Sequence, residues 1–187
     1  MPDAIAPRRT YMVGNWKMHK TIVEARAFVE ELLGLLGDGV GEAIDVGVCP
    51  PYTALAAVVE VTRDTGLRVF AQNMHADPEG AHTGEVSARM LREVGVDGVV
   101  LGHSERRRDH CETDRELCRK VPAALEAGLE PILCVGETEE ERDAGETERR
   151  LRHQVQEGLE AVPTERLGDV TIAYEPVWAP SGSACMF

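Results

Sequence analysis

Aromatic residues are scarce in this 187-residue chain, where phenylalanine, tyrosine and tryptophan together make up 4% of the residues. Basic residues are also in the minority, since 20 lysines and arginines face 33 acidic residues and the net charge is −13 at pH 7. An acidic surface argues against nucleic acid or an anionic membrane as the main partner, although a small anionic substrate needs only local positive charge. No apolar run approaches the roughly 18 residues of a membrane span.

Closely spaced cysteine pairs, which mark zinc and redox motifs, are also missing. The five cysteines are an odd number and lie far apart, at positions 49, 111, 118, 134 and 185. The first ten residues lack the apolar stretch of a signal peptide. We therefore expect a reduced, cytoplasmic protein without structural zinc. Cys111 beside His110 is a weak metal hint, and solvent-facing residues in a polar stretch explain the pair more simply.

Short apolar runs alternate with longer amphipathic stretches along the chain. We predict strands at 11–14, 45–49, 67–71, 98–101, 132–135 and 170–174, and helices at 21–36, 52–65, 87–94, 114–127 and 139–162. Pro122 and Gly145 are expected to kink or break the last two helices. The alternation predicts a single-domain α/β fold whose parallel strands are covered on both faces. The long polar stretch 72–85 is of a kind that often carries function.

Polar side chains follow the predicted strands at their carboxyl ends, where such folds place their sites. They are Asn15 and Lys17, Gln72 and Asn73, His103, Ser104 and Glu105, Glu137, and Glu175. A carboxylate, an imidazole and an ammonium on one rim suit proton abstraction beside a carbonyl. Considered alone, each of these residues has a simpler explanation. Lys17 would be a surface lysine, His103 a helix cap and Glu175 the end of a strand. Their convergence at successive strand ends favours a catalytic site.

Four motifs, in order and in register, resemble the triosephosphate isomerase family. They are GNWKM at 14–18, GHSERR at 102–107, CVGE at 134–137 and AYEPVWA at 173–179, and QNM at 72–74 and GEVS at 84–87 support them. The resemblance covers about residues 10–179. It implies the (β/α)8 barrel fold, here an incomplete barrel of about six parallel strands and five helices in one domain over 1–187.

The resemblance also implies roles for the strand-end residues. Glu175 would be the catalytic base, and His103 a neutral electrophile at the start of a short helix capped by Ser104. Lys17 and Asn15 would bind substrate, with Lys17 also balancing the charge of an enediolate. Glu105, Ser104 and Cys134 would be supporting residues.

The family further implies a small phosphorylated triose as substrate, with roles in glycolysis and gluconeogenesis in the cytoplasm. Residues 176–178 would form the first hinge of a lid, and the loop around Thr83 would reach into the partner subunit of a homodimer. No metal or organic cofactor is implied.

The family motifs cease after Ala179, and we predict a divergent tail at 180–187. One choice of synonymous codons for residues 180–182 would encode Ile-Gly when read in a shifted frame. We therefore favour a reading-frame slip or a truncation as the explanation of the divergent tail. Strands seven and eight and the family's phosphate-binding loop are then missing, which predicts far lower activity than an intact isomerase has. Two alternatives stay open: an inactive truncated fragment, or a phosphate-ligand binding α/β module, although no GxGxxG or P-loop motif is present.

Overall fold

A computed structural model of the chain describes residues 10–37 and 44–178. The strands are β1 Thr10–Asn15, β2 Ile44–Cys49, β3 Leu67–Ala71, β4 Gly98–Leu101, β5 Glu130–Val135 and β6 Thr171–Tyr174. The α-helices are α1 Ile22–Leu36, α2 Tyr52–Thr62, α3 Ala88–Val94, α4 Ser104–Asp109, α5 Asp114–Glu126, α6 Glu139–Asp143 and α7 Thr147–Leu159, and a 3-10 turn covers Thr164–Asp169. The predicted tail at 180–187 lies outside the described residues.

The six strands form one parallel sheet whose spatial order is the order of the chain, β1 to β6. Asn15 lies opposite Cys49 at the end of β1, and Val135 lies opposite Tyr174 at the end of β5. Within the described residues, β1 and β6 are the two edges of this sheet. The prediction of an α/β fold with six parallel strands is confirmed, and all six carboxyl ends point to the same rim.

The strands bury side chains on both faces, as their apolar character predicts. The larger core cluster joins the sheet to the helices through residues such as Val29, Leu55, Leu117 and Leu133. The smaller cluster contains no helix residue and consists of Cys49, Phe70, Val100, Ile132 and Cys134, with Tyr11, Val13 and Ala173 packed against it. Burial of one such large side chain contributes about 1.5–3 kcal/mol, so both faces stabilise the rim.

Local sequence signals set most helix boundaries. Thr21 caps α1 in a reciprocal capping box with Glu24, as the spacing predicts. The predicted helix 139–162 is interrupted, as expected, around Gly145, whose φ of +72° favours glycine. α5 continues through Pro122 as one helix, so the helix does not restart there. No helix in the described part of the chain is long and apolar enough to cross a membrane.

The described residues contain seven α-helices, and the sequence predicted about five. One of the two additional helices results from the break of the predicted helix 139–162 into α6 and α7. The other is α4, which the family resemblance implied as a short helix after His103 but which the apolar periodicity missed, because its sequence SERRRD has no apolar residue.

Candidate active site

Lys17 lies just beyond β1 with its backbone in the left-handed region, at a φ of +53°. This conformation is unfavourable for a residue with a side chain. Two contacts hold it: the Lys17 N–H donates to Asn15 Oδ1 at 2.9 Å, and Gln72 Nε2 donates to the Lys17 carbonyl at 2.8 Å. Gln72 Nε2 also donates to the carbonyl of Cys49 at 2.8 Å. The ends of β1, β2 and β3 therefore fix together the place from which the Lys17 side chain starts.

His103 follows β4 and is itself the cap of α4. Its Nδ1 accepts the backbone N–H of Glu105 at 3.2 Å. The prediction that Ser104 caps this helix is therefore wrong, because Ser104 is the first helical residue and the ring of the preceding histidine takes the capping position. An Nδ1 that accepts a hydrogen bond carries no proton, which assigns the neutral tautomer with the proton on Nε2.

Glu175 follows β6 and meets His103 across the rim. His103 Nε2 is 3.2 Å from Glu175 Oε1, and the backbone N–H of Ser104 donates to Glu175 Oε2 at 3.3 Å. The Glu175 side chain is 35% exposed, and that of His103 is 11% exposed. The carboxylate is therefore held by two donors from the start of α4 and remains accessible from outside.

Lys17 and Glu105 extend this arrangement along the rim. Lys17 Nζ lies 2.9 Å from Glu105 Oε1, with the two side chains 30% and 36% exposed. The other oxygen of Glu105 is 3.7 Å from His103 Nδ1. Such a half-exposed ion pair contributes little to stability, so its main effect is to orient the ammonium. The structure thus brings together four predicted site residues: Lys17, His103, Glu105 and Glu175.

Arg107 supports the turn that precedes His103, a role that the sequence analysis did not assign to this motif residue. Its Nε donates to the carbonyl of Gly102 at 2.7 Å, its Nη2 donates to the carbonyl of Cys134 at 3.0 Å, and its Nη1 pairs with Asp114. Gly102 has a φ of +73°, and a Cβ there would lie 2.7 Å from Leu117 and 2.9 Å from Arg107. Glycine at 102 and arginine at 107 therefore fix the end of β4 against β5.

A buried ion pair, also missed, lies behind the same turn. Glu112 and Lys120 are paired, with side chains 2% and 8% exposed. Glu112 Oε2 accepts the backbone N–H of Gly102 at 3.2 Å, and Lys120 Nζ donates to Asn73 Oδ1 at 3.0 Å. One signal could have revealed the pair, because Lys120 lies on the apolar face of α5 between Leu117 and Val121. A charge on a buried face needs a partner.

The sequence profile of the triosephosphate isomerase family matches residues 10–183. The chain is 51% identical over 172 residues to the triosephosphate isomerase of Carboxydothermus hydrogenoformans, with 92% of this chain and 68% of that protein covered. It is 48% identical to the enzyme of that name from Chloroflexus aurantiacus, covering 90% of this chain and 66% of that protein.

The chain belongs to the triosephosphate isomerase family.

A crystal structure of triosephosphate isomerase from Bartonella henselae superimposes with a TM-score of 0.83 at 35% identity, covering 92% of this chain and 70% of that one. The chain spans about two thirds of the length of these relatives. The fold class and the family resemblance drawn from the motifs are both confirmed. The family match runs to residue 183, four residues beyond the last residue of the quoted motifs.

In this member of the triosephosphate isomerase family, Cys134 belongs to the buried cluster within the sheet. Burial raises the pKa of its thiol to about 12, with Glu175 and Arg107 acting in opposite directions as smaller influences. The thiol is therefore uncharged at neutral pH and packs as a small apolar group. Its contribution to the site passes through its backbone carbonyl, which receives Arg107.

The carboxylate of Glu137 accepts hydrogen bonds from polar groups around the start of the segment 176–178. This carboxylate is completely buried. It accepts hydrogen bonds from Tyr174 Oη at 3.0 Å, Arg142 Nη1 at 3.0 Å and Trp178 Nε1 at 3.2 Å. The Arg142 guanidinium also lies 4.6 Å from the centre of the Trp178 ring. Three donors on one carboxylate fix the end of β6, on which Glu175 depends.

We expect Glu137→Gln to make the free energy of unfolding depend less steeply on pH in the acidic range. Burial alone would raise the pKa of Glu137, but hydrogen bonds from the backbone, Trp178, Arg142 and Tyr174 together lower it below its ordinary value. A lowered pKa contributes stability above the ordinary value near 4.3, and this stability is lost as the pH falls through the lowered value.

Urea unfolding between pH 3 and pH 7 tests this expectation. The wild-type free energy of unfolding should fall more steeply below about pH 4.5 than that of the variant. Glu165→Gln, at an exposed position, is the matched control and should follow the wild type. If the free energy of unfolding fell equally steeply at acidic pH in all three proteins, the role given to Glu137 would be contradicted.

Gly136 allows the backbone of Glu175 to pass close to β5. A Cβ built at Gly136 would collide with the carbonyl group of Glu175. A side chain at this position would therefore displace the residue that faces His103.

Among the described residues, groups of three potential metal ligands occur at two places, and neither includes Lys17, His103, Glu105 or Glu175. They are His75, Asp77 and His82, and Asp114, His153 and Glu157. In the second group Asp114 already pairs with Arg107 and Arg150. Two guanidinium groups satisfy that carboxylate and repel a cation.

Proposed function

We propose that this chain has the isomerase activity of its family and interconverts dihydroxyacetone phosphate and glyceraldehyde 3-phosphate through an enediolate. The observation that carries the proposal is the contact of 3.2 Å between His103 Nε2 and Glu175 Oε1. It places a neutral N–H donor and a carboxylate base on one accessible rim, beside an ammonium group. These are the three groups that proton transfer next to a carbonyl requires.

Glu175 is the base in this proposal. Its carboxylate leaves the two donors that now hold it and removes a proton from the carbon next to the substrate carbonyl. Both donors belong to the start of α4, so the carboxylate can exchange them for substrate without disturbing a buried network. The same carboxyl group later returns the proton to the neighbouring carbon.

His103 is the electrophile. The Nε2–H that faces Glu175 is the donor that a substrate carbonyl oxygen needs once the carboxylate moves away. The Glu105 N–H on Nδ1 holds the ring in this tautomer. A neutral imidazole can then pass its proton between the two substrate oxygens.

Lys17 supplies the positive charge for substrate and enediolate, and Asn15 holds the Lys17 backbone. Within an acidic chain this ammonium provides local attraction for an anionic substrate. Its backbone is fixed by Asn15 and Gln72, and its side chain is oriented by Glu105. Less ordering therefore remains to be done when substrate binds.

We further infer a homodimer that works in glycolysis and gluconeogenesis in the cytoplasm. The exposed loop residues around Thr83 and the 93% exposed Met18 support the dimer. An apolar side chain so exposed beside Lys17 suits burial by a partner subunit.

The test is direct assay of this chain on each triose phosphate in deuterated water. The proposal expects isomerisation in both directions with solvent deuterium incorporated at the carbon from which Glu175 removes the proton. A phosphorylated carboxylate that mimics the enediolate should raise the melting temperature. A chain that melts cooperatively and is stabilised by the mimic, yet neither isomerises nor exchanges deuterium, would be a binding module instead.

A further inference from the structure

A buried glutamine on α7 forms two hydrogen bonds to one backbone residue at the rim. Gln154 is only 1% exposed. The Gly136 N–H donates to Gln154 Oε1 at 2.9 Å, and Gln154 Nε2 donates to the Gly136 carbonyl at 3.0 Å. The amide oxygen can only accept and the amide nitrogen can only donate. The two backbone groups therefore fix a single orientation of the carboxamide.

The packing of α7 against β5 brings this carboxamide within reach of Gly136. Gln154 and Gly158 are the buried residues of α7, and they lie one turn apart on the same face of the helix. A Cβ at Gly158 would lie 2.9 Å from the side chain of Leu133, which is closer than the optimal separation of two carbon atoms. Glycine at 158 therefore lets the helix lie directly on the strand.

Gly136 is in turn in contact with the backbone of Glu175. The Glu175 N–H donates to the Val135 carbonyl at 2.8 Å, and the Val177 N–H donates to the Glu137 carbonyl at 3.0 Å. These hydrogen bonds involve the residues directly before and after Gly136. The Glu175 carbonyl occupies the place that a Cβ at Gly136 would take. A displacement of Gly136 would therefore also displace the backbone of Glu175.

We propose that Gln154 is a positioning residue of the isomerase site, which acts through Gly136 to hold Glu175 against His103. The inference rests on the proposed function and deepens it. Without the carboxamide, the N–H and the carbonyl of the buried Gly136 would lose their partners, which is unfavourable. The end of β5 would then move to satisfy them. A shift of about 1 Å at a reacting group can lower the rate about 100-fold.

The experiment compares Gln154→Met with two controls on the same helix, each made in the full chain. Methionine fills a similar volume but cannot form the two hydrogen bonds to Gly136. Gln156→Met makes the same substitution at an exposed glutamine. Leu151→Ala weakens the packing of α7 on the core cluster and leaves Gln154 in place. Gln154→Asn, whose carboxamide is one methylene too short to reach both groups, takes the place of Gln154→Met if that variant does not melt cooperatively.

Steady-state kinetics, melting curves and the nitrogen NMR resonance of His103 Nε2, which faces Glu175, are measured for every protein. Gln154→Met should lower kcat about 10- to 100-fold and shift the His103 Nε2 resonance. Its KM should stay within about threefold of the wild type, because the interaction affected is made in the transition state. Gln156→Met should match the wild type throughout. Leu151→Ala should lower the melting temperature but keep the wild-type kcat and resonance.

Two results with an active wild type would overturn the positioning role. One is a wild-type kcat in Gln154→Met, and the other is an equal loss of kcat in Leu151→Ala, which would point to general destabilisation. An inactive wild type would instead contradict the proposed function, and the His103 Nε2 resonance then decides the present inference. An unchanged resonance in Gln154→Met overturns it, and a shift that Leu151→Ala does not share supports it.

Discussion

Glu175→Gln is expected to lower kcat by about 100- to 10,000-fold, the usual contribution of a general base. Glutamine keeps the size of the side chain and can still accept the Ser104 N–H, which now binds Glu175 at 3.3 Å. It cannot remove a proton from carbon. The loss should therefore fall mainly on kcat, with KM changed much less, because the interaction removed is made in the transition state.

Steady-state kinetics in both directions check this result, together with melting curves that confirm the fold. The exposed Glu165→Gln serves again as the control and should match the wild type in both measurements. A Glu175→Gln variant with kcat within tenfold of the wild type would assign the base to another residue. A variant whose KM alone rises would limit Glu175 to substrate binding.

Lys120→Met is expected to lower the free energy of unfolding by about 3–5 kcal/mol, which is typical when one partner of a buried ion pair is removed. Methionine fills a similar volume, so little of the loss comes from a cavity. The Glu112 carboxylate, only 2% exposed, loses its nearest cation and keeps only the Arg106 guanidinium, whose Nε is 3.7 Å away. The effect should be large because this pair lies behind the turn that carries His103.

Urea unfolding of three variants separates this cause from a general effect of losing a cation. Arg152→Met removes half of an exposed pair with Glu148, where the side chains are 65% and 85% exposed, and should change stability by about 1 kcal/mol or less. The double variant Lys120→Met with Glu112→Gln should recover part of the loss, since no uncompensated charge is then buried. Equal effects of Lys120→Met and Arg152→Met would refute the explanation.

Elements that depend on neighbouring residues could be predicted from the sequence. The capping box of Thr21 and Glu24, the apolar runs of the strands and the break near Gly145 are all local signals, and the structure contains each of them. The convergence of Lys17, His103 and Glu175 followed from a topological rule, that parallel strands place their carboxyl ends on one rim. These inferences needed no side-chain coordinates.

What the sequence could not reveal depends on contacts between distant positions. Arg107 meets the carbonyl of Cys134 and the side chain of Asp114 only after β4 and β5 have paired. The family resemblance implied that Ser104 caps α4, whereas the ring of His103 takes that place. Nothing in the local sequence distinguishes these two residues, since the choice depends on how the chain leaves β4.

The strand order described above also determines how the protein can fold while it is being made. Each strand pairs with the one that precedes it in the chain, so every new strand finds its neighbour already synthesised. Ribosomes add about 5–20 residues per second, whereas a helix forms in about a microsecond. The sheet can therefore grow from β1 towards β6 in step with translation, and its growing edge stays exposed only until the next strand emerges.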